Sequence, residues 1–220
     1  MRFLGQYAPA TAVGIPLVRR ALRVRDRISD PRRVGLTFDD GPHPEGTPAV
    51  LEALAEAEAP ATFFLVGEQV ERRPALAAEI VAAGHDVALH CYRHQNLLRL
   101  SPLETRENLV RGAAAIEDAV GRSPTRFRPP LGYLSGAALG IARELDWEIV
   151  LWKRIAYDWL PSATPAKIVR HLIRRLRGGE IFVLHDADFY CCPGSWRQTA
   201  AALPLLVDKL ERLGFRPGRL

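Results

Sequence analysis

The sequence predicts an α/β fold in which parallel strands are surrounded by helices within one domain. After Pro31, short runs of β-forming residues alternate with amphipathic stretches of helical period, which is the pattern of βα units around a parallel sheet. The length of 220 residues fits one barrel, because single barrels commonly have roughly 200 to 250 residues. Chemically useful side chains follow several of these strands, and parallel α/β folds assemble their sites at that edge.

The strands are predicted at short apolar or β-branched runs, and a last short strand is expected near Phe215. In chain order these runs are 34–38, 61–66, 86–90, 126–128, 147–152 and 181–184. Helices are predicted between them, because several intervening stretches have Pro near the first turn and Gly just past the end. The helices span 47–58, 74–83, 102–120, 136–145, 165–177 and 196–213. No linker or repeat interrupts residues 31–220, which we predict to be a single domain.

The composition predicts a soluble globular protein, with 48% apolar residues, 25% charged residues and a mean hydropathy near zero. No apolar run approaches the roughly 20 residues that cross a bilayer, so no transmembrane span is expected. The net charge of +5 favours an anionic partner, but no aromatic-interleaved basic motif indicates nucleic acid. Three cysteines, of which Cys191 and Cys192 are adjacent, argue against a disulfide framework and predict a cytoplasmic location.

Residues 1–30 form a basic leader ahead of the domain. Residues 1–18 are fairly apolar, but Gln6, Pro9 and Pro16 interrupt them, so they make no clear signal peptide. Five arginines interleaved with apolar residues follow, namely Arg19, Arg20, Arg23, Arg25 and Arg27. We expect the leader to pack on or near the domain; a peripheral contact with the anionic inner surface of a membrane is the alternative.

Two adjacent carboxylates, Asp39 and Asp40, stand where an apolar strand runs into a turn, in Leu-Thr-Phe-Asp-Asp-Gly-Pro-His-Pro. Consecutive side chains on a strand point in opposite directions, so one carboxylate can hold a cation while the other accepts a proton. A helix cap followed by a turn residue is the alternative for this segment taken alone.

His90 and His94 are four residues apart, and His90 stands at the end of a predicted strand. If the segment forms one helical turn, both imidazoles face the same way and can share a metal. Together with Asp40 they make a two-histidine, one-carboxylate set, which suits Zn²⁺ or another divalent transition metal such as Co²⁺ or Mn²⁺. A single His near a strand end is more often a core or surface residue, but the third ligand favours a metal.

A water activated at such a metal needs a base, an acid and groups that orient them. Asp39 is the candidate base, and Arg128 is a candidate to hold it ionised; a surface Arg beside a turn is the alternative for Arg128. His185, at the end of the strand Ile-Phe-Val-Leu-His, suits an acid that protonates a leaving amine, with Asp158 as its partner. The alternatives are a helix cap at Asp158 and a core position for Trp159.

At these residues the chain resembles the polysaccharide deacetylase family, carbohydrate esterase family 4, over residues 34–215. Five segments stand in the order and approximate spacing of the family's motifs, at 37–40, 90–94, 128–130, 158–159 and 183–185. The resemblance implies a distorted (β/α)7–8 barrel, with residues 31–220 as the catalytic domain of NodB homology. It also implies hydrolysis of an N-acetyl, or less often another N-acyl, group of an amino sugar.

The resemblance implies a role for each matching residue. Asp39 would be the base, positioned by Arg128, and His185 would be the acid, tuned by Asp158. The metal ligands would be Asp40, His90 and His94. The backbone N–H of Leu131 would help to hold the oxyanion, while Trp159 and Val183 would border the acyl pocket.

The chain departs from the usual family pattern at four positions, namely Cys91, Leu131, Ile155 and Val183. None of them removes a metal ligand or an acid–base group, but they alter the groove. The aromatic segment 186–197 is expected to shape the groove as well. The sequence therefore leaves three classes of substrate possible: a polymer, an oligomer, and a lipid- or nucleotide-linked amino sugar.

Two other functions are compatible with such a fold. One is the hydrolysis of a non-carbohydrate C–N bond without a metal, and the intact set Asp40, His90 and His94 argues against it. The other is a catalytically idle module that binds a glycan or a lipid. The presence of both Asp39 and His185 argues against an idle module.

Overall fold

A computed structural model describes residues 16–220, in which nine strands form one curled, parallel sheet with helices on its outer side. The strands are β1 (Val24–Arg25), β2 (Arg33–Asp39), β3 (Thr62–Val66), β4 (Asp86–Cys91), β5 (Arg126–Phe127), β6 (Glu148–Val150), β7 (Arg154–Ile155), β8 (Ile181–His185) and β9 (Arg216–Gly218). The predicted class, a distorted barrel of parallel strands with outer helices, is confirmed.

The helices connect the strands as the βα pattern requires. They are α1 (Pro16–Ala21), α2 (Gly46–Glu56), α3 (Gly67–Arg72), α4 (Pro74–Ala82), α5 (Pro102–Val120), α6 (Gly136–Glu144), α7 (Pro165–Ile173) and α8 (Trp196–Arg212). A single turn of 3-10 helix lies at Pro130–Gly132. Helix α5 shows why its ends are where they are: Ser101 caps its N-terminus in a capping box with Glu104, and Gly121 ends it in the left-handed conformation.

The sheet order is β1-β6-β5-β4-β3-β2-β8-β7, and β9 pairs with the beginning of β2. Within residues 16–220 this order has two ends, so the strands form a barrel that is not fully closed. Strand β2 lies between β3 and β8, with Asp39 in register with His185. Because the strands are parallel, their carboxyl ends meet at one rim, and the side chains that follow them converge there.

The core explains why the central strands read as almost continuous apolar runs. Strands β2, β3 and β8 are buried along nearly their whole length, as expected for parallel strands covered on both faces. Phe38 on β2 and Phe63 on β3 stack with their ring centroids 5.0 Å apart. This packing gives the rim a rigid base.

The structure differs from the sequence prediction at several elements. Strands β1 and β7 and helix α3 were not predicted, and helix α7 ends at Ile173 instead of 177. Arg154 explains the early end of α7, because its guanidinium donates to the carbonyls of Arg174 at 2.5 Å and Arg175 at 2.9 Å. Arg175 also has a positive φ of 52°, which a helix does not allow.

The described part of the basic leader is joined to the domain. Strand β1 pairs with β6, and the guanidiniums of Arg25 and Arg27 contact Glu148 at 3.1 Å and Glu180 at 3.2 Å. Residues 1–15, which include most of the stretch weighed as a signal peptide, lie outside the described residues. Among residues 16–220, no helix has the length and apolar character needed to span a bilayer.

Candidate active site

A cavity of about 330 Å³ opens at the rim formed by the carboxyl ends of the strands. Eight of the ten residues predicted for the site line it: Asp39, Asp40, His90, His94, Leu131, Trp159, Val183 and His185. The other two, Arg128 and Asp158, are buried behind it and contact Asp39 and His185. The structure therefore brings all ten residues together, although the order of the chain separates them widely.

The turn after β2 has a conformation that separates the two neighbouring carboxylates. Asp39 is the last residue of β2, whereas Asp40 takes a positive φ of 82°, which turns the chain sharply. The N-cap of α2 is Glu45, so neither aspartate caps that helix. This local geometry removes the alternative in which the pair serves only as a helix cap and lets each carboxylate take a different partner.

Asp40, His90 and His94 form the cluster within residues 16–220 whose side chains could hold a metal ion. Their candidate ligand atoms all lie within 4.8 Å of one another. The Nε2 atoms of His90 and His94 are each 3.5 Å from Oδ1 of Asp40. That oxygen is buried and has no hydrogen-bond partner, which is costly unless a cation satisfies it.

The tautomer of His90 follows from its contacts. Its Nδ1 lies 2.7 Å from the carbonyl oxygen of Arg128, and because a carbonyl only accepts, Nδ1 is the donor. In the neutral ring, Nε2 then presents a lone pair toward Asp40. Two such electron-pair donors facing each other cannot form a hydrogen bond, but they can both bind a cation.

The route by which His94 joins His90 differs from the prediction. The prediction of a helical turn is wrong. His90 lies within β4, and the chain bends at Tyr92 and Arg93 before it reaches His94. Asn108 of α5 fixes this bend: its Oδ1 accepts from the backbone N–H of Tyr92 at 2.7 Å and of Arg93 at 3.1 Å. The two imidazoles converge through a strand end and a bend held by a neighbouring helix.

The protonation of this cluster also fits a cation. Burial lowers the pKa of both His90 and His94 to about 3, so both rings are neutral and able to coordinate at neutral pH. Burial raises the pKa of Asp40 to about 7, and the nearby Asp39 and Asp186 carboxylates add to that shift. A bound cation would remove this penalty on the charged carboxylate, so the residues present fit a divalent metal.

Asp39 is held by Arg128, which is fully buried. Arg128 donates from Nη1 to Oδ1 of Asp39 at 2.5 Å and to the hydroxyl of Thr37 at 2.8 Å. The guanidinium also packs over the ring of Phe64, with 3.9 Å between Cζ and the ring centroid. Burial raises the pKa of Asp39, and Arg128 opposes that shift without reversing it. The alternative of a surface arginine is excluded.

His185 is held by Asp158 through two contacts. The backbone N–H of His185 donates to Oδ2 of Asp158 at 2.6 Å, and its Nδ1 lies 2.9 Å from Oδ1. Burial alone would lower the pKa of His185, but the carboxylates of Asp158, Asp40 and Asp39 together raise it to about 10. The N-cap of α7 is Thr164, so Asp158 does not cap that helix.

The remaining predicted residues form the wall beside His185. The ring of Trp159 meets that of His185 edge-on, with centroids 5.1 Å apart, and Val183 is buried at the floor. Leu131, at the 3-10 turn after β5, has a positive φ of 59° and a side chain that is 54% exposed. Its side chain therefore stands at the mouth of the cavity rather than in its floor.

Several contributors were not among the predicted site residues. Thr37 links Arg128 to the carbonyl of Phe182, to which its hydroxyl donates at 2.5 Å. Thr199, on α8, donates to Oδ2 of Asp158 at 2.8 Å. Tyr133 and Trp152 line the cavity. Thr37 stands within the first motif and could have been found there, whereas Thr199 has no local sequence signal.

Comparison with known proteins agrees with this geometry. The family model described as polysaccharide deacetylase matches residues 26–150. A chitooligosaccharide deacetylase of Bradyrhizobium is 35% identical over 195 residues, which cover 86% of this chain and 89% of that one. The structure of a peptidoglycan N-acetylglucosamine deacetylase superposes with a TM-score of 0.85 at 27% identity, covering 94% of each chain. A pseudoenzyme of carbohydrate esterase family 4 from Bacillus anthracis has a TM-score of 0.80 at 28% identity, covering 90% of this chain and 67% of that one.

The fold and the site together define a carbohydrate deacetylase, an enzyme that hydrolyses an amide C–N bond. The family match spans more than half of the chain, and the relative described above covers most of it. The chain belongs to the polysaccharide deacetylase family, which is metal-dependent.

Proposed function

We propose that this enzyme removes the N-acetyl group from an amino sugar at a divalent metal held by Asp40, His90 and His94. The unpartnered Oδ1 of Asp40, which faces the Nε2 atoms of both histidines at 3.5 Å, is the main support for this proposal. A cation bound there would polarise the amide carbonyl and lower the pKa of a water. Two histidines and one carboxylate suit Zn²⁺ best, and Co²⁺ and Mn²⁺ are compatible with the set.

Asp39 is the proposed base. It lines the cavity beside Asp40, and Arg128 orients it through Oδ1. Burial raises the pKa of Asp39 above its ordinary value and toward neutral pH. A general base works most efficiently when its pKa lies near the working pH. In this role Asp39 takes the proton of the attacking water, and Arg128 acts as its positioning residue.

His185 is the proposed acid, which protonates the leaving amine. Because Asp158 occupies Nδ1, the proton available to the substrate is that on Nε2. The raised pKa of about 10 keeps the ring protonated at neutral pH, as an acid requires. Trp159 and Val183 are proposed to border the acetyl group, and the backbone N–H of Leu131 to stabilise the oxyanion.

The proposed substrate is an oligomer or polymer that contains N-acetylglucosamine. The names of the relatives support this class, and so does the exposed rim formed by Leu131 and Tyr133, which are 54% and 46% exposed. A lipid- or nucleotide-linked amino sugar is the other source of the same group. A location in the cytoplasm or at the inner membrane surface is supported only by the three free thiols. The ion pairs of Arg25 and Arg27 with the domain argue against a membrane contact through these two arginines.

One experiment tests the reaction and the substrate together. The protein is stripped with a chelator, reloaded with Zn²⁺, Co²⁺ or Mn²⁺, and assayed for acetate release. The substrates are chitooligosaccharides, peptidoglycan, UDP-N-acetylglucosamine and free N-acetylglucosamine. Metal-dependent release of acetate from the oligomers, with none from the His94→Ala variant, is expected. Binding of the oligomers without release of acetate under any metal would contradict the proposal and indicate an idle binding module.

A further inference from the structure

The segment between β8 and α8, residues 186–195, forms one wall of the cavity and is firmly anchored. Asp188 holds it at two points: Oδ1 lies 3.1 Å from Nε2 of His43, and Oδ2 accepts from the backbone N–H of Gly194 at 2.5 Å. Nδ1 of His43 accepts from the backbone N–H of Gly46 at 2.8 Å, so the proton is on Nε2 and points to Asp188. The wall is thereby tied to the same turn that contains Asp40.

Phe189 fixes the next part of this wall. Its ring lies against the imidazole of His43, with centroids 4.8 Å apart, and the guanidinium of Arg73 lies 5.6 Å from the ring centroid. With Asp188 and Phe189 both fixed, the residue that follows, Tyr190, has little freedom to move. The anchored backbone places the side chain of Tyr190 in the wall of the cavity.

Tyr190 contacts the proposed metal ligand His94 directly. The two rings stack with centroids 4.4 Å apart and an angle of 15° between their planes. The hydroxyl of Tyr190 donates to Oε1 of Glu68 at 3.2 Å, which fixes the far end of the ring. The flat face of the tyrosine thus defines the plane in which the imidazole of His94 can lie.

The two histidines are oriented by different means. His90 lies on a strand and donates from Nδ1 to the carbonyl of Arg128. His94 follows a bend beyond the strand end, where regular structure does not hold the backbone. Its Nε2 faces Oδ1 of Asp40 at 3.5 Å with the ring stacked flat against Tyr190, which constrains the plane of the imidazole. Groups that orient ligands in this way are worth about 10- to 100-fold in metal affinity.

We propose that Tyr190 is a positioning residue that aligns the imidazole of His94 for metal binding. This inference rests on the proposed function, because it takes Asp40, His90 and His94 as the ligands. It assigns to the wall 186–195 a role in building the metal site, in addition to shaping the groove. The aromatic ring of Tyr190 provides the alignment, and its hydroxyl contributes by anchoring the far end of the ring.

The test measures the Zn²⁺ dissociation constant of the whole chain, freed of metal, by competition with a chromophoric chelator. Tyr190→Leu removes the stacking ring but keeps an apolar side chain, and it should weaken binding by about 10- to 100-fold. Tyr190→Phe keeps the ring and should bind Zn²⁺ nearly as the wild type does. Tyr133→Leu is the matched control, because Tyr133 lines the same cavity, and its zinc affinity should not change. Circular dichroism of each metal-free variant establishes that the fold is intact.

The outcomes distinguish the role of Tyr190 from the proposed function. Unchanged zinc affinity in Tyr190→Leu, whether or not KM rises, would overturn the inference and leave Tyr190 as a groove residue only. An equal loss in Tyr190→Phe would also overturn it, because the ring would then not be the part that aligns His94. Absence of zinc binding by the wild-type protein would instead overturn the proposed function, and this inference with it.

Discussion

Asp158 contacts both the backbone and the side chain of His185. Its Oδ2 accepts from the backbone N–H of His185 at 2.6 Å, and its Oδ1 lies 2.9 Å from Nδ1 of the imidazole. The carboxylate is buried and also accepts the hydroxyl of Thr199 at 2.8 Å. A single buried carboxylate therefore fixes the position, the orientation and the protonation of the proposed acid.

Replacing Asp158 with Asn should move the pH dependence of the reaction. His185 has a raised pKa, so the acid is fully present below that pKa and is lost as the pH rises through it. Removing the negative charge lowers the pKa, so the alkaline limb of the kcat profile of Asp158→Asn should shift to lower pH. Thr199→Val keeps the charge and is the control whose alkaline limb should stay in place. An unshifted limb in Asp158→Asn would refute the assignment of His185 as the acid.

Replacing Asp39 with Asn should separate catalysis from metal binding. The amide keeps the size of the side chain but cannot accept a proton, so kcat should fall by about 10²- to 10⁴-fold. Zinc affinity should stay close to that of the wild type, because Asp40 and the two histidines are unchanged. Acetate release and zinc titration on the same sample measure both effects, and full activity in Asp39→Asn would show that another group is the base.

Breaking the buried pair between Arg128 and Asp39 should destabilise the fold. Arg128→Met leaves the carboxylate of Asp39 buried beside an apolar side chain, which costs about 3 to 5 kcal/mol in the free energy of unfolding. The double variant Arg128→Met, Asp39→Asn removes both charges and should recover part of that loss. Urea unfolding of the two variants measures the difference, and equal stabilities would mean that the pair is not coupled.

The chain that follows the Asp40 turn packs closely against the wall 186–195, so Gly46 should not tolerate a side chain. A Cβ at Gly46 would overlap the backbone oxygen of Asp186 and the ring of Trp196, so Gly46→Ala should cost about 1 to 3 kcal/mol. The matched control is Gly140→Ala on α6, where a Cβ meets nothing within 4 Å. The control should gain about 0.5 to 1 kcal/mol, because Ala is the better helix former. Thermal unfolding of both variants tests this contrast.

Zinc should stabilise the folded protein in proportion to its binding. At a free zinc concentration about 100 times the dissociation constant, the gain in the free energy of unfolding is about 2.7 kcal/mol. His94→Ala removes one of the three ligands and should show little or no such gain. The readout is the melting temperature with and without zinc, and an equal rise in the wild type and the variant would indicate that zinc binds elsewhere.

Long, strongly patterned elements were predictable from the sequence. Strands β2 and β8 are mostly apolar runs, and helix α5 carries both its capping box and its terminal glycine, so their positions follow from local chemistry. Strands β1 and β7 have only two residues each and depend on pairing with β6 and β8, which leaves no local pattern to detect. Their existence is decided by tertiary contacts.

The site shows the same division. Asp39, Asp40 and His185 stand at strand ends, where the parallel topology alone brings them together. The bend that places His94 depends on Asn108 of a different helix, and the hydroxyl of Thr199 reaches Asp158 across 41 residues of sequence. Such contacts have no periodic signal, so the prediction of a helical turn at His90 and His94 was wrong even though the two residues do meet.

Whether Asp40, His90 and His94 bind the metal is tested most directly by a crystal structure of the zinc-loaded protein, with anomalous scattering recorded above and below the zinc edge. We expect one strong anomalous peak at the rim, bounded by a carboxylate oxygen of Asp40 and the Nε2 atoms of His90 and His94. A peak bound by other residues, or no peak at these three from protein shown to contain zinc, would contradict it.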